Sequence, residues 1–367
     1  MARRAKLSAL WPAAVALVVS LVYVAWRLAE ANWDPVALAE IGRADAGGAP
    51  DGRNGYDGQF AYFMAVDLDP VSVSSRMDVP AYRYQRILLP LLARGLALGQ
   101  PDWIPWTLVL VNLVAHTLGT AAVARVLDER GLWPGYALAY GCWVGLVAGV
   151  GLDLHEPLAY ALVAAGWLAH SRNRPALSGL LIGASLFAKE TGLLFWAALL
   201  LGSVLTRRQW RSVAYLSAAG VAFAAWQIAL YRAFGAFGLG SGGAMATPFE
   251  WIPFMGLWRI GSVSWAALGL FVVIFGPTIV IPSVWGAIAS ARALWSQRAS
   301  AEGWALLLNS ASIAFLPHST FREPLGLVRF ACGLVLATLL FSSSREALRP
   351  LRYALFWIAL LAMLLNR

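Results

Sequence analysis

The side chains able to do chemistry stand apart from long apolar runs, and the most suggestive set is Gly55-Tyr56-Asp57-Gly58-Gln59-Phe60. A carboxylate between two glycines, at the mouth of an amphipathic stretch, is placed to meet a substrate and take a proton from a hydroxyl. The same placement suits a plain helix N-cap with Gly58 easing the turn, and the two uses are compatible. Tyr82-Arg83-Tyr84-Gln85-Arg86 offers forked donors that match phosphate oxygens, or equally an interfacial aromatic belt. His155-Glu156-Pro157 marks a tight turn and, as a metal motif, lacks further ligands at helical spacing. Lys189-Glu190 marks another, where Lys189 has Glu190, Glu156 or a phosphate as alternative partners. His318, Arg322 and Arg329 close the set, either contacting an anionic leaving group or anchoring a headgroup. Asp67 and Asp69, ahead of Pro70, read as a helix end and a solvated turn. Asp57 and Asp67 are the candidate ligands for a divalent cation, Mg²⁺ or Mn²⁺, for which one or two carboxylates with waters suffice.

Apolar helices must hold these groups. Hydrophobic residues make up 60% of the chain and charged residues 13%, against roughly a half and a quarter in a soluble domain. Mean hydropathy is +0.65. Apolar runs of membrane-spanning character recur along the whole length, which predicts an all-α, polytopic transmembrane helix bundle forming one integral-membrane domain, 1–367. The 18 Trp suit the headgroup level, where one ring edge is dry and the other wet. Cys142 and Cys332 fall inside apolar runs and read as small packing residues.

The net charge of +9 sits in short inter-helix loops, so it sets topology and not nucleic-acid binding. Arg3, Arg4 and Lys6 precede an apolar run over 7–26 without a small-residue cleavage site, which predicts an uncleaved first helix with its N-terminus in the cytoplasm. Residues 28–86 then form an external first loop with juxtamembrane helices. Further spans are expected over 104–126, 134–150, 157–169, 176–188, 191–205, 213–231, 262–289, 304–316, 325–341 and 353–365. The count is about eleven crossings plus a partial or interfacial element at 87–99, which carries Arg94. This alternation leaves the compact Arg clusters inside. It gathers Asp57, Asp67, Asp69, Asp78, His155, Glu156, Lys189, Glu190, His318, Arg322 and Glu323 outside. Asn112 and His116, four residues apart within an apolar run, read as a buried hydrogen-bonded pair. The loop 235–258, rich in Gly and aromatics, is either a cover or a connector.

On these residues the chain resembles the GT-C superfamily of integral-membrane glycosyltransferases in bacteria, which use polyprenyl-phosphate sugars. The resemblance rests on a first helix followed by a long outside loop with an acidic residue, Gly-Tyr-Asp57-Gly-Gln-Phe, then Tyr82-Arg-Tyr-Gln-Arg86-Ile-Leu-Leu-Pro90. It extends to Leu154-His-Glu156-Pro-Leu-Ala and Ala188-Lys189-Glu190-Thr-Gly-Leu. It implies a GT-C-like bundle in the plasma (inner) membrane, acting at the external, periplasmic face on a membrane lipid donor. The acceptor would be a glycan, lipid or protein. Asp57 takes the general-base role. Tyr56, Gln59 and Tyr62 line a sugar pocket, and Arg83, Arg86, His155, Glu156, Lys189, Glu190 and Arg322 complete the substrate site, with Arg86, Lys189 and Arg322 on the phosphate. The chain has fewer spans than the larger members, no large soluble C-terminal domain, and no adjacent acidic pair in its first loop. A carrier or flippase of lipid-linked sugars, or a membrane acyltransferase centred on His116 or His155, is the alternative to a glycosyl transfer.

Overall fold

The computed structural model describes residues 10–42, 55–206 and 209–366, and every regular element among them is helical. Arg3, Arg4 and Lys6, and the loop residues Arg207 and Arg208, lie outside the described residues. The chain opens with α1 (Trp11–Glu30), a 3-10 turn (Pro35–Ala39) and four short helices, α2 (Gly58–Val66), α3 (Pro70–Ser74), α4 (Pro80–Tyr84) and α5 (Leu88–Leu96). The long α6 (Ile104–Glu129) leads into α7 (Leu138–Gly141), α8 (Val144–Val150), α9 (Glu156–Ser171), α10 (Pro175–Ala188), α11 (Gly192–Leu205) and α12 (Trp210–Phe234). The last part holds α13 (Met255–Val263), α14 (Trp265–Phe275), α15 (Ile281–Ser296), α16 (Ala301–Ala314), α17 (His318–Arg322), α18 (Pro324–Phe330), α19 (Cys332–Ser344) and α20 (Leu348–Ala354). Proline opens several of these, since its fixed φ suits a first turn whose N–H has no intrahelical acceptor. Asp69 caps α3, accepting from the N–H of Ser72 at 3.1 Å, so a helix starts where the sequence reads a solvated turn.

Among the described residues, six stretches are long and apolar enough to cross a membrane: Trp11–Glu30, Pro101–Glu129, Trp210–Phe234, Trp265–Ser296, Pro324–Ser344 and Leu348–Leu365. The expected eleven is therefore not met, for two physical reasons. Residues 134–150 do not form one rod. The extended backbone of Trp143 (φ −69°, ψ 123°) splits them into α7 and α8. The expected spans 157–169, 176–188, 191–205 and 304–316 form α9, of 16 residues, and α10, α11 and α16, of 14 each, about 21–24 Å at 1.5 Å per residue, against a hydrocarbon core of about 30 Å. The segment 87–99 yields α5, only 9 residues long, in keeping with a partial element.

The core is built around α19, whose span is 83% buried, while the α12 span is 22% buried and presents its apolar surface outward. Helices α6, α9 and α16 pack against α19, and α10 and α11 pack in turn on α9 and α16. Charges collect at the two ends of the bundle. At one end Arg130 donates to Glu302 Oε1 (2.8 Å) and Ser343 Oγ (2.6 Å), and Arg172 pairs with Glu129. The opposite end carries the turn before α9, the turn between α10 and α11, the loop before α2, and α18. The sequence partition of acids and Arg clusters thus becomes a separation in space.

Candidate functional site

Asp57 occupies the N-cap position of α2, yet its side chain caps nothing. Its Oδ1 accepts from Arg83 Nη1 at 2.9 Å and its Oδ2 from Arg329 Nη2 at 2.7 Å. The flanking glycines allow this. A Cβ on Gly58 would lie 2.1 Å from the carbonyl oxygen of Leu152, and one on Gly55 2.5 Å from the backbone N of Gly42. Both are contacts with backbone that cannot step aside. The carboxylate is therefore delivered by two close backbone approaches, one to the turn that leads into α9.

Both arginines are pinned by other acceptors as well. Arg83 grips Asp78 through Nε (2.7 Å) and Nη2 (2.8 Å) and lies over the Phe60 ring at 4.1 Å. Arg329 donates from Nε to Glu156 Oε1 (2.7 Å) and from Nη1 to Tyr56 Oη (2.8 Å). Tyr56 in turn donates to Glu323 Oε1 at 2.6 Å. Lys189 Nζ reaches the same Glu156 Oε1 at 2.5 Å, so its partner is Glu156 and not its neighbour in sequence. Arg86 forks onto Glu190 (2.8 and 2.5 Å) and also bonds the Tyr82 hydroxyl. Arg83, Arg329 and Lys189 with Asp57, Asp78 and Glu156 form one chain of ion pairs, and the Arg86–Glu190 pair adjoins it across the Tyr82 ring, which both Arg83 and Arg86 overlie, so four cations and four carboxylates gather in one cluster.

The cluster runs from deep to shallow. The Glu156 side chain is 0% exposed and the Asp57 side chain 27%, so Asp57 faces solvent and Glu156 does not. Burial alone would raise the Asp57 pKa, but Arg329 and then Arg83 hold it well below the usual carboxylate range. For Glu190, burial is likewise outweighed by Arg86, and the pKa falls to about 2. His155 is buried beside the cluster, and burial with the Arg86 charge keeps its imidazole neutral, with a pKa of about 3.

A pH dependence follows for Glu190. Its folded pKa lies below the ordinary 4.5, so the unfolded chain binds more protons through that interval. Its stabilising contribution is complete above 4.5 and disappears as the pH falls toward 2. Acid titration of the native Trp fluorescence should show unfolding within this window. Glu190→Gln should weaken the acid sensitivity and lower stability at neutral pH.

Several expected site residues lie elsewhere. Gln59 is buried, and its Oε1 accepts from the backbone N–H of Gly42 at 3.1 Å, so it builds the loop and does not line a sugar pocket. Tyr62 is half-buried between two apolar clusters, away from Asp57. Arg322 is exposed and makes no ion pair among the described residues. The Asp67 carboxylate is used by its own turn, accepting from Ser72 Oγ (2.5 Å) and the N–H of Asp69 (2.9 Å). Both Asp57 oxygens face guanidinium groups, and no three His, Cys, Asp or Glu side chains converge among the described residues. These donors do not fit a divalent cation at Asp57. Arg329 proves central where Arg322 does not. The signal for it was a lone arginine within the apolar run 325–341, a costly position that marks function in membrane proteins.

The loop 235–254 bridges the two flanks of the cluster. The N–H of Ala244 donates to Asp78 Oδ2 at 3.0 Å, beside Arg83, and Thr247 and Ser319 exchange hydrogen bonds at 3.1 Å on the α17 side. No family model, curated protein or solved structure matches the chain.

Proposed function

We propose that this chain is a membrane glycosyltransferase that moves a sugar from a polyprenyl-phosphate carrier to an acceptor hydroxyl at the membrane surface. One observation carries the reading: a partly open carboxylate stands among four buried cations at one end of an apolar helix bundle. Buried ion clusters are weak stabilisers, because apolar residues of equal volume serve as well. Perturbed ionisable groups gathered from five separate segments of the chain are instead typical of reaction centres.

In this reading the C1–O bond to the carrier phosphate breaks with its electron pair leaving on the phosphate. Arg329, Arg83, Arg86 and Lys189 are the groups that would stabilise that developing charge. The acceptor oxygen forms the new bond to C1 from the opposite face, and its proton passes to Asp57. A carboxylate facing two guanidinium groups is a poor base. The donor phosphate offers those groups a second anion, and a carboxylate relieved of one partner regains proton affinity. Tyr56, bridging Arg329 and Glu323, borders the same space. The Arg-bearing end of the bundle supports a cytoplasmic N-terminus and a site on the external, periplasmic face of the plasma membrane.

The test uses purified protein in liposomes with a synthetic polyprenyl-phosphate sugar and a panel of glycan, lipid and peptide acceptors. Release of free polyprenyl phosphate together with a glycosylated acceptor is the expected result. Movement of the intact lipid-linked sugar between leaflets, without release, would replace the transferase by a carrier.

A further inference from the structure

Helix breaks leave backbone carbonyls without intrahelical donors, and at membrane depth no water stands in for them. Three buried side chains serve the breaks in this bundle. Trp143 Nε1 donates to the carbonyl of Val328 at 2.8 Å, Asn112 Nδ2 to that of Leu154 at 3.0 Å, and His116 Nε2 lies 2.9 Å from that of Gly141. Asn112 and His116, expected to bond each other, are thus each turned to the backbone of the broken segment.

Two of these carbonyls stand immediately ahead of the ion cluster. Val328 precedes Arg329, and Leu154 lies two residues before Glu156. Trp143, Asn112 and Val328 are all 0% exposed. The approach of α8 to α18 is close enough that a Cβ on Gly145 would fall 2.3 Å from the Val328 oxygen. α18 meets α19 at a turn on Ala331, and there the Val328 carbonyl accepts from the Trp143 indole N–H and lies against α8.

We propose that Trp143 and Asn112 are positioning residues: the indole N–H holds the peptide that carries Arg329, and the amide holds the turn that carries Glu156, so that guanidinium and carboxylate meet beside Asp57. Neither touches the reacting groups. The catalytic meaning of this arrangement rests on the transferase reading, whereas the arrangement itself can be tested without it.

The test is carboxyl labelling of the full chain in nanodiscs, with a water-soluble carbodiimide and glycine ethyl ester, followed by peptide mass spectrometry across the mildly acidic range. A carboxyl oxygen adds to the carbodiimide carbon as its proton passes to the carbodiimide nitrogen, so the coupling profile of Asp57 reports how firmly Arg329 and Arg83, with Arg86 behind them, face it. Trp143→Phe keeps the ring and loses the N–H. Its Asp57 profile should move to higher pH, with coupling at fixed pH roughly threefold faster or more, the change given by half a unit of proton affinity. Trp357→Phe is the control. Trp357 packs edge-on against Trp143 at 6.1 Å, and its Nε1 has no hydrogen-bond partner among the described residues, so its profile should match wild type. Asn112→Leu should shift Asp57 in the same direction through Glu156. A Trp143→Phe profile that coincides with wild type overturns the proposal, and if that variant does not fold, a wild-type profile in Asn112→Leu does the same. The labelling needs no sugar donor, so the role of Trp143 is decided even in a protein that transfers nothing, and an unmoved profile leaves the transferase reading standing.

Discussion

Asp57→Asn should yield a folded, membrane-inserted protein whose sugar transfer falls by about 10²- to 10⁴-fold, the usual weight of a positioned general base. The fold should survive because neither arginine depends on Asp57 for its place. Arg83 keeps both bonds to Asp78, and Arg329 keeps Glu156 and Tyr56. The amide is nearly isosteric and still offers one acceptor oxygen, so binding of the carrier should change far less than turnover. The measurement is release of polyprenyl phosphate in liposomes, with thermal unfolding of the same preparation as the control for folding. Wild-type turnover in a folded Asp57→Asn protein would remove Asp57 from the reaction and reduce it to a counter-ion for two arginines.

The glycine-flanked acid was legible in the sequence because its pattern is local. Gly55 and Gly58 are needed for close approach, and both contacts involve backbone within or next to the same loop or the turn at Leu152. The partition of charge between two ends was also legible, since short loops keep their charges wherever the helices place them. The partners of each charge were not. Lys189 chooses Glu156 over its neighbour Glu190, and Glu190 goes to Arg86. Those choices depend on how α4, α9 and α10 converge, which no local spacing encodes. The span count failed for a related reason. Hydropathy reads 134–150 as one continuous run, but Trp143 breaks it in order to bond a carbonyl far along the chain at Val328. Gln59 and Tyr62 are expected in the site only as part of what the resemblance implies. In the fold their side chains are taken up by the Gly42 backbone and by apolar packing.

Arg329→Met should be the most destabilising of the single substitutions considered, by about 3–5 kcal/mol, the range for breaking a buried ion pair on one side. Methionine fills much of the volume, so the loss is electrostatic. It removes donors from Asp57, Glu156 and Tyr56 at once and leaves Glu156, which is 0% exposed, with Lys189 alone. Arg172→Met gives the comparison at the other end of the bundle. Arg172 and Glu129 are each more than a third exposed, and such a pair is worth at most about 1 kcal/mol. Thermal unfolding in detergent, followed by Trp fluorescence, should therefore separate the two variants clearly. Adding Glu156→Gln to Arg329→Met should deepen the loss, because it takes from the buried Lys189 ammonium its Glu156 partner. If Arg329→Met unfolds no earlier than Arg172→Met, the four cations and four carboxylates are not a buried network. The electrostatic argument for a reaction centre at Asp57 would then fall with it.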